Sequence, residues 1–305
     1  MNRGITDDCK GKSFVSFATV LFLLFTAVMT LFVSCTTTSN GNDAVNELKS
    51  NVTEETEQAF EIKMLLDNDS VLDGDHFLKK SLREAFMTGD EYESFTVAYL
   101  DTAEREFLNE GWINRLRVKD GKSKYKITYK KRYPVENHDI ESAFESARAD
   151  GFSSDNNQFP AEIDWGYSKM TLSFSNEYEL KTQTKPDIGL LNHDDAVQMI
   201  ADYMPLEEKN WQKEGWGTGK INDAQVVGSI RFIRYSGTFC GQSISIEIWP
   251  LQANGRTEYV TELSAESIGL KDATALRTEI IKNLDEKGIL IHSDSLKTQM
   301  VLEKH

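Results

Sequence analysis

The residues with the clearest chemical potential are two closely spaced rows of cations. Arg115, Arg117 and Lys119 alternate with Leu116 and Val118, and Lys124, Lys126 and Lys130 alternate with Tyr125, Ile127 and Tyr129. Asp120-Gly121 between the rows is a hairpin signal, so the two segments should pair antiparallel with their cations on one face. Like charges opposite one another destabilise a sheet, and an anion on that face would relieve the repulsion. Arginine suits a phosphate in particular, because its planar fork gives two hydrogen bonds to one group.

Other segments must hold such a face in place. Phe60, Ile62 and Met64 oppose Glu61 and Lys63; Met170, Leu172 and Phe174 oppose Thr171, Ser173 and Ser175. Ile230 and Phe232 flank Arg231, with Arg234 on the opposite face and read as structural. Ile244, Ile246 and Ile248 oppose Glu247, and Leu263 and Ala265 oppose Glu262, Ser264 and Glu266. Period-two alternation predicts half-buried strands. Amphipathic helices are predicted near 75–87, 194–204 and 271–287, and loops over 149–160 and 210–220, the latter carrying Trp211 and Trp216. The expected fold is α+β: an antiparallel β-barrel, or tunnel, with a charged interior and flanking helices.

Against this background the chain resembles the CYTH family of triphosphate tunnel metalloenzymes. The resemblance rests on Tyr99-Leu100-Asp101-Thr102, then Leu108 through Gly111 to Arg115-Leu116-Arg117, then Ile127-Thr128-Tyr129-Lys130. Glu61-Ile62-Lys63 is similar to the end of the family's opening strand motif, Glu247 and Glu262 to later acidic positions, and Lys297 to a lysine near its C-terminus. The resemblance is clear over 59–132, weaker over 226–300 and poor between. It implies catalytic roles for Lys63, Arg115, Arg117 and Lys130, and substrate contacts from Lys126, Arg231 and Lys297. It also implies that Glu61, Glu247 and Glu262 hold Mg²⁺ or Mn²⁺, hard ions that favour oxygen donors. Ala59 and Ser264 stand where the family's pattern has carboxylates, which weakens the implied metal site.

The N-terminus has a different character. Basic residues Arg3, Lys10 and Lys12 precede an uncharged apolar run over 14–33, which ends in Ser34-Cys35. This resembles a bacterial lipoprotein signal with Cys35 as the lipidated residue; an uncleaved membrane anchor is the other reading, since roughly 20 apolar residues span a bilayer. The expected organisation is a leader over 1–34, a polar linker over 35–58 and one tunnel domain over 59–305, held extracytoplasmically at a bacterial membrane. Cys240 is the one cysteine beyond Cys35, so neither an intrachain disulfide framework nor a thiolate metal site is expected in the domain.

The 305-residue chain carries a formal charge of −15, which argues against nucleic acid as a partner. The expected ligand is a small triphosphate or polyphosphate. Three outcomes remain open: hydrolysis of a terminal phosphate, binding of a phosphorylated compound without turnover, or a purely structural envelope role.

Overall fold

Alternating strands with one apolar face must cover that face, and here the sheet does so by closing on itself beneath a layer of helices. A computed structural model describes residues 58–153, 157–181, 192–253, 255–294 and 300–301. The strands are β1 (Ala59–Leu66), β2 (Glu93–Asp101), β3 (Trp112–Lys119), β4 (Lys124–Val135) and β5 (Ala161–Trp165), followed by β6 (Met170–Lys181), β7 (Gln225–Phe239), β8 (Gln242–Ala253) and β9 (Arg256–Ile268). They form a closed barrel in the order β1-β5-β6-β4-β3-β2-β7-β8-β9, with β9 pairing back onto β1. The wall is antiparallel except between β1 and β5, which run parallel. The expected α+β barrel is therefore present, with one parallel pair in it.

The apolar rows point outward. Phe60, Ile62, Met64 and Leu66 of β1 are buried beneath the outer layer, each contributing roughly 1.5–3 kcal/mol relative to exposure. The helix Leu270–Glu286 covers β1 and β9 with Leu276, Ile280 and Leu284. Ile140–Ala149 packs on β4 and β6, and His193–Tyr203 with Trp216–Asn222 covers the region of β2 and β7. The Tyr129 hydroxyl ties β4 to this layer by donating to the Ile200 carbonyl at 2.6 Å. Glu208 is sealed under the same layer near Asn114, and burial pushes its carboxyl up to about 8, so it is held protonated at neutral pH.

Two helices match their predicted spans closely. The one expected over 75–87 is confined to Lys80–Ala85, because His76 takes a positive φ and Phe77 enters a turn closed by Asp73. The segment expected as a loop over 210–220 carries the start of Trp216–Asn222, with Trp216 buried against Phe107. Sequence polarity there hid an aromatic anchor.

The leader over 1–34, nearly all of the 35–58 linker, Cys35 and Lys297 lie outside the described residues. Among the described residues no helix is long and apolar enough to cross a membrane.

Candidate phosphate and metal site in the barrel interior

The inward face begins at the turn that launches β3. Asp101 ends β2, and its carboxylate accepts hydrogen bonds from the backbone N–H groups of Thr102, Phe107 and Leu108 at 2.8–3.1 Å. Thr102 Oγ1 accepts from Glu106 N–H at 3.1 Å. These two residues therefore shape the connection and are turned away from chemistry. Gly111 closes it: φ is +74°, and a Cβ there would lie 2.8 Å from the Arg132 carbonyl, so a side chain is excluded. The turn fixes the register in which Arg115 opposes Thr128 and Arg117 opposes Lys126.

One wall of the interior is a lattice of lysines and carboxylates. Lys63 Nζ lies 2.7 Å from Glu61 and also bonds Asp164 Oδ1. Lys130 Nζ stands 3.7 Å from Asp164 and 3.9 Å from Glu162. Ser173 Oγ donates to the other Asp164 oxygen at 2.9 Å. Burial opposes the charge of Asp164, but Lys130, Lys63 and Arg132 outweigh it and hold its carboxyl well below the usual range. Burial likewise opposes the charge of Lys63, yet Asp164 and Glu61 overcome it and raise its pKa. Lys130 goes the other way: burial lowers it, Asp164 offsets this only in part, and Lys63 and Arg132 push it further down. Lys126 pairs with Glu177, which also lies 3.9 Å from Arg115.

Glu61, Glu162 and Asp164 each offer an oxygen within 4.8 Å of the others, the metal-ligating arrangement found among the described residues. Burial and the neighbouring Glu61 push Glu162 up to about 7. Three crowded carboxylates with an oxygen-only donor set fit a hard divalent cation such as Mg²⁺ or Mn²⁺.

The facing wall is aromatic. Phe95, Phe232 and Trp249 form a continuous stack, with centroids 5.3 and 4.1 Å apart. Arg117 and Arg234 lie over the Phe95 ring at 5.4 and 5.0 Å. Glu247 accepts from Arg234 Nε at 2.9 Å and from Trp249 Nε1 at 2.9 Å, tying stack and guanidinium together. Burial first, then Arg115 and Arg234, lowers the Arg117 pKa to about 10; it stays charged at neutral pH.

The structure brings Lys63, Arg115, Arg117, Lys126, Lys130, Glu61, Glu247 and Glu262 to the inward face. Arg231 is the exception. Its register partner is Thr96, and its guanidinium lies outside the barrel on Asp120, more than half exposed. Arg234, read from the sequence as structural, takes the inward position. Glu247 and Glu262 are register partners on β8 and β9 and do not belong to the three-carboxylate group, Glu247 being engaged by Arg234. Glu162 and Asp164, absent from the predicted set, supply the other two members. Their signal was the alternation Glu162-Ile163-Asp164-Trp165.

No protein-family model matches the chain, and no curated protein matches it in sequence. Solved structures do align with it. A Hippeastrum protein, described as a candidate adenylyl cyclase with a dominant triphosphatase activity, aligns at 15% identity and TM-score 0.45 over 80% of this chain and 94% of its own. A candidate adenylate cyclase from Bacillus halodurans aligns at 13% and 0.43 over 80% and 96%. A Pyrococcus horikoshii protein aligns at 14% and 0.39 over 81% and 99%. Similarity of this degree carries no functional conclusion by itself.

Proposed function

We propose that the barrel binds the triphosphate or polyphosphate part of an anionic ligand together with Mg²⁺ or Mn²⁺ and hydrolyses its terminal phosphate. The supporting observation is one interior that holds Arg115, Arg117 and Arg234 together with a three-carboxylate cluster contacted by Lys63 and Lys130. Arg117 and Arg234, held over Phe95, present forks to phosphate oxygens with little rotamer freedom left to lose. Arg115, steadied at 3.1 Å by Thr128 Oγ1, adds a third. Lys130 is poorly matched by carboxylate in the free protein, so phosphate oxygens would improve its surroundings. Glu61, Glu162 and Asp164 would hold the cation. When bound, it would neutralise charge on the phosphate chain and make water a better nucleophile.

Binding without turnover is a second reading. Ala59 sits beside Glu162 and Ser264 beside Lys63, so two inward positions next to the cluster lack a carboxylate. Phosphate release from tripolyphosphate by the full-length chain, with and without Mg²⁺ or Mn²⁺, decides between them. Metal-dependent release that is lost in Asp164→Asn is the result expected; tight binding with no release overturns the hydrolytic reading.

Residues 14–35 support lipidation at Cys35 and an extracytoplasmic, membrane-held location in a bacterial envelope. Cys35→Ala should abolish incorporation of labelled lipid, and label that persists overturns this assignment.

A further inference from the structure

The inward positions of six strands change character in the same direction along the barrel. Towards one end lie Leu65 of β1, Val260 of β9, Leu251 of β8, Ile230 of β7, Tyr99 of β2 and Ile113 of β3. Towards the other, the same strands present Glu61, Ser264, Ser245, Arg234, Glu93 and Lys119. Antiparallel pairing makes this coherent: Leu65 is late in β1, Val260 early in β9 and Leu251 late in β8. The register puts the apolar residues on the charged, inward face: Leu65 opposes Glu262, and Tyr99 opposes Arg115. Helix packing on the outside therefore does not account for this cluster.

It is also sealed. Tyr99, Ile230, Leu251 and Val260 are each at most 8% exposed, and Val301, at 0%, packs on the same cluster with Met300 from the C-terminal side. The polar end is open by comparison: Lys119 and Glu93 at the rim are each more than a third exposed, and Lys126 is 29% exposed.

We propose that the barrel is a blind pocket and not a through-tunnel, so that it accepts a linear phosphate chain only by a free end. The proposal rests on the polyphosphate reading for its ligand and on the apolar floor for its selectivity. A chain esterified at both ends has no terminus to insert. To bring inner phosphates beside Arg115 and Lys130, one of its esters would have to cross a floor of packed side chains. Interiors at this density leave few voids larger than a water molecule. A chain with one free end, such as a nucleoside triphosphate, would enter with its ester left at the mouth.

Two measurements on the full-length chain test this. Calorimetric binding would compare tripolyphosphate, ATP and diadenosine tetraphosphate, with two, one and no free ends. The expected order is comparable binding of the first two and a loss of about a hundredfold or more, roughly 2.7 kcal/mol, for the third. Diadenosine tetraphosphate bound as tightly as ATP overturns the proposal. The second measurement needs no ligand: Val260→Cys and Ser264→Cys would each be treated with a charged methanethiosulfonate reagent and read by peptide mass spectrometry. Rapid labelling at 264 and protection at 260 support a closed floor. Equal rates mean an open tunnel and overturn it. Failure of all three ligands to bind, with 260 protected, removes the polyphosphate reading while leaving the floor closed.

Discussion

The two walls of the barrel interior use the same alternation to opposite ends. Around the carboxylate cluster, β1, β5, β6 and β4 turn lysines, carboxylates and small hydroxyls inward, with Lys63 and Lys130 both set against Asp164. Along β2, β7 and β8 the inward face carries the Phe95–Phe232–Trp249 stack, and Arg117 and Arg234 lie on the Phe95 ring. The difference follows from the head groups. An ammonium is strongly hydrated and needs carboxylates when removed from water, whereas a guanidinium is weakly hydrated and stacks on rings. One wall can therefore titrate and exchange a proton or a cation. The other keeps its charge and geometry fixed.

The comparison is broken most severely at Asp164, which Lys63 and Lys130 share. Asp164→Asn leaves two buried ammonium groups short of a partner and should cost about 3–5 kcal/mol, read by urea denaturation, together with loss of divalent-ion binding. A cavity at the floor tests the apolar side. Leu251→Ala should cost roughly 2–5 kcal/mol with tripolyphosphate affinity unchanged, since Leu251 is buried in the apolar cluster.

A gentler probe is pH. Glu162 ionises near 7 in the folded protein against 4.5 for an unperturbed glutamate, so cation binding must displace its proton below that value. Apparent Mg²⁺ or Mn²⁺ affinity, measured by titration calorimetry, should rise about tenfold per pH unit up to about 7 and then level. For the metal-free protein the sign is opposite. A carboxyl raised on folding favours the folded state only while protonated, so that contribution is fully present below 4.5 and is lost as pH rises through about 7. The smallest effect sharpens the assignment of faces: Arg231→Ala should change stability by no more than about 0.5 kcal/mol and leave tripolyphosphate binding intact, whereas Arg234→Ala weakens binding.

The exchange of Arg231 for Arg234 marks the limit of the sequence reading. Hydropathy alternation tells which residues share a face, but it does not tell which face is inside. Where the interior was charged, as in β3 and β4, the apolar row pointed outward as expected, and Arg115, Arg117, Lys126 and Lys130 were legible. In β7 the interior is itself apolar, so Ile230 and Phe232 turn inward and take Arg231 out with them. β2, whose end carries the Tyr99-Leu100-Asp101 motif, is not legible as a strand for the same reason: Phe95, Val97 and Tyr99 are buried inside and Ala98 and Leu100 outside, leaving no alternation to see. β5 did alternate, but over five residues beside a loop, too short a run to stand out. With it went Glu162 and Asp164, the two carboxylates that meet Glu61.

The seam between β1 and β9 has a consequence for how the molecule is made. Ala59 pairs with Ile268, so the first described strand finds one of its two neighbours about two hundred residues later in the chain. Such distant pairing slows folding, because loop-closure entropy is lost before the contacts are gained. The ring cannot be completed until synthesis has passed β9. Until then β1 has an unsatisfied edge, a hazard for association with other chains that a helper protein or prompt export would limit.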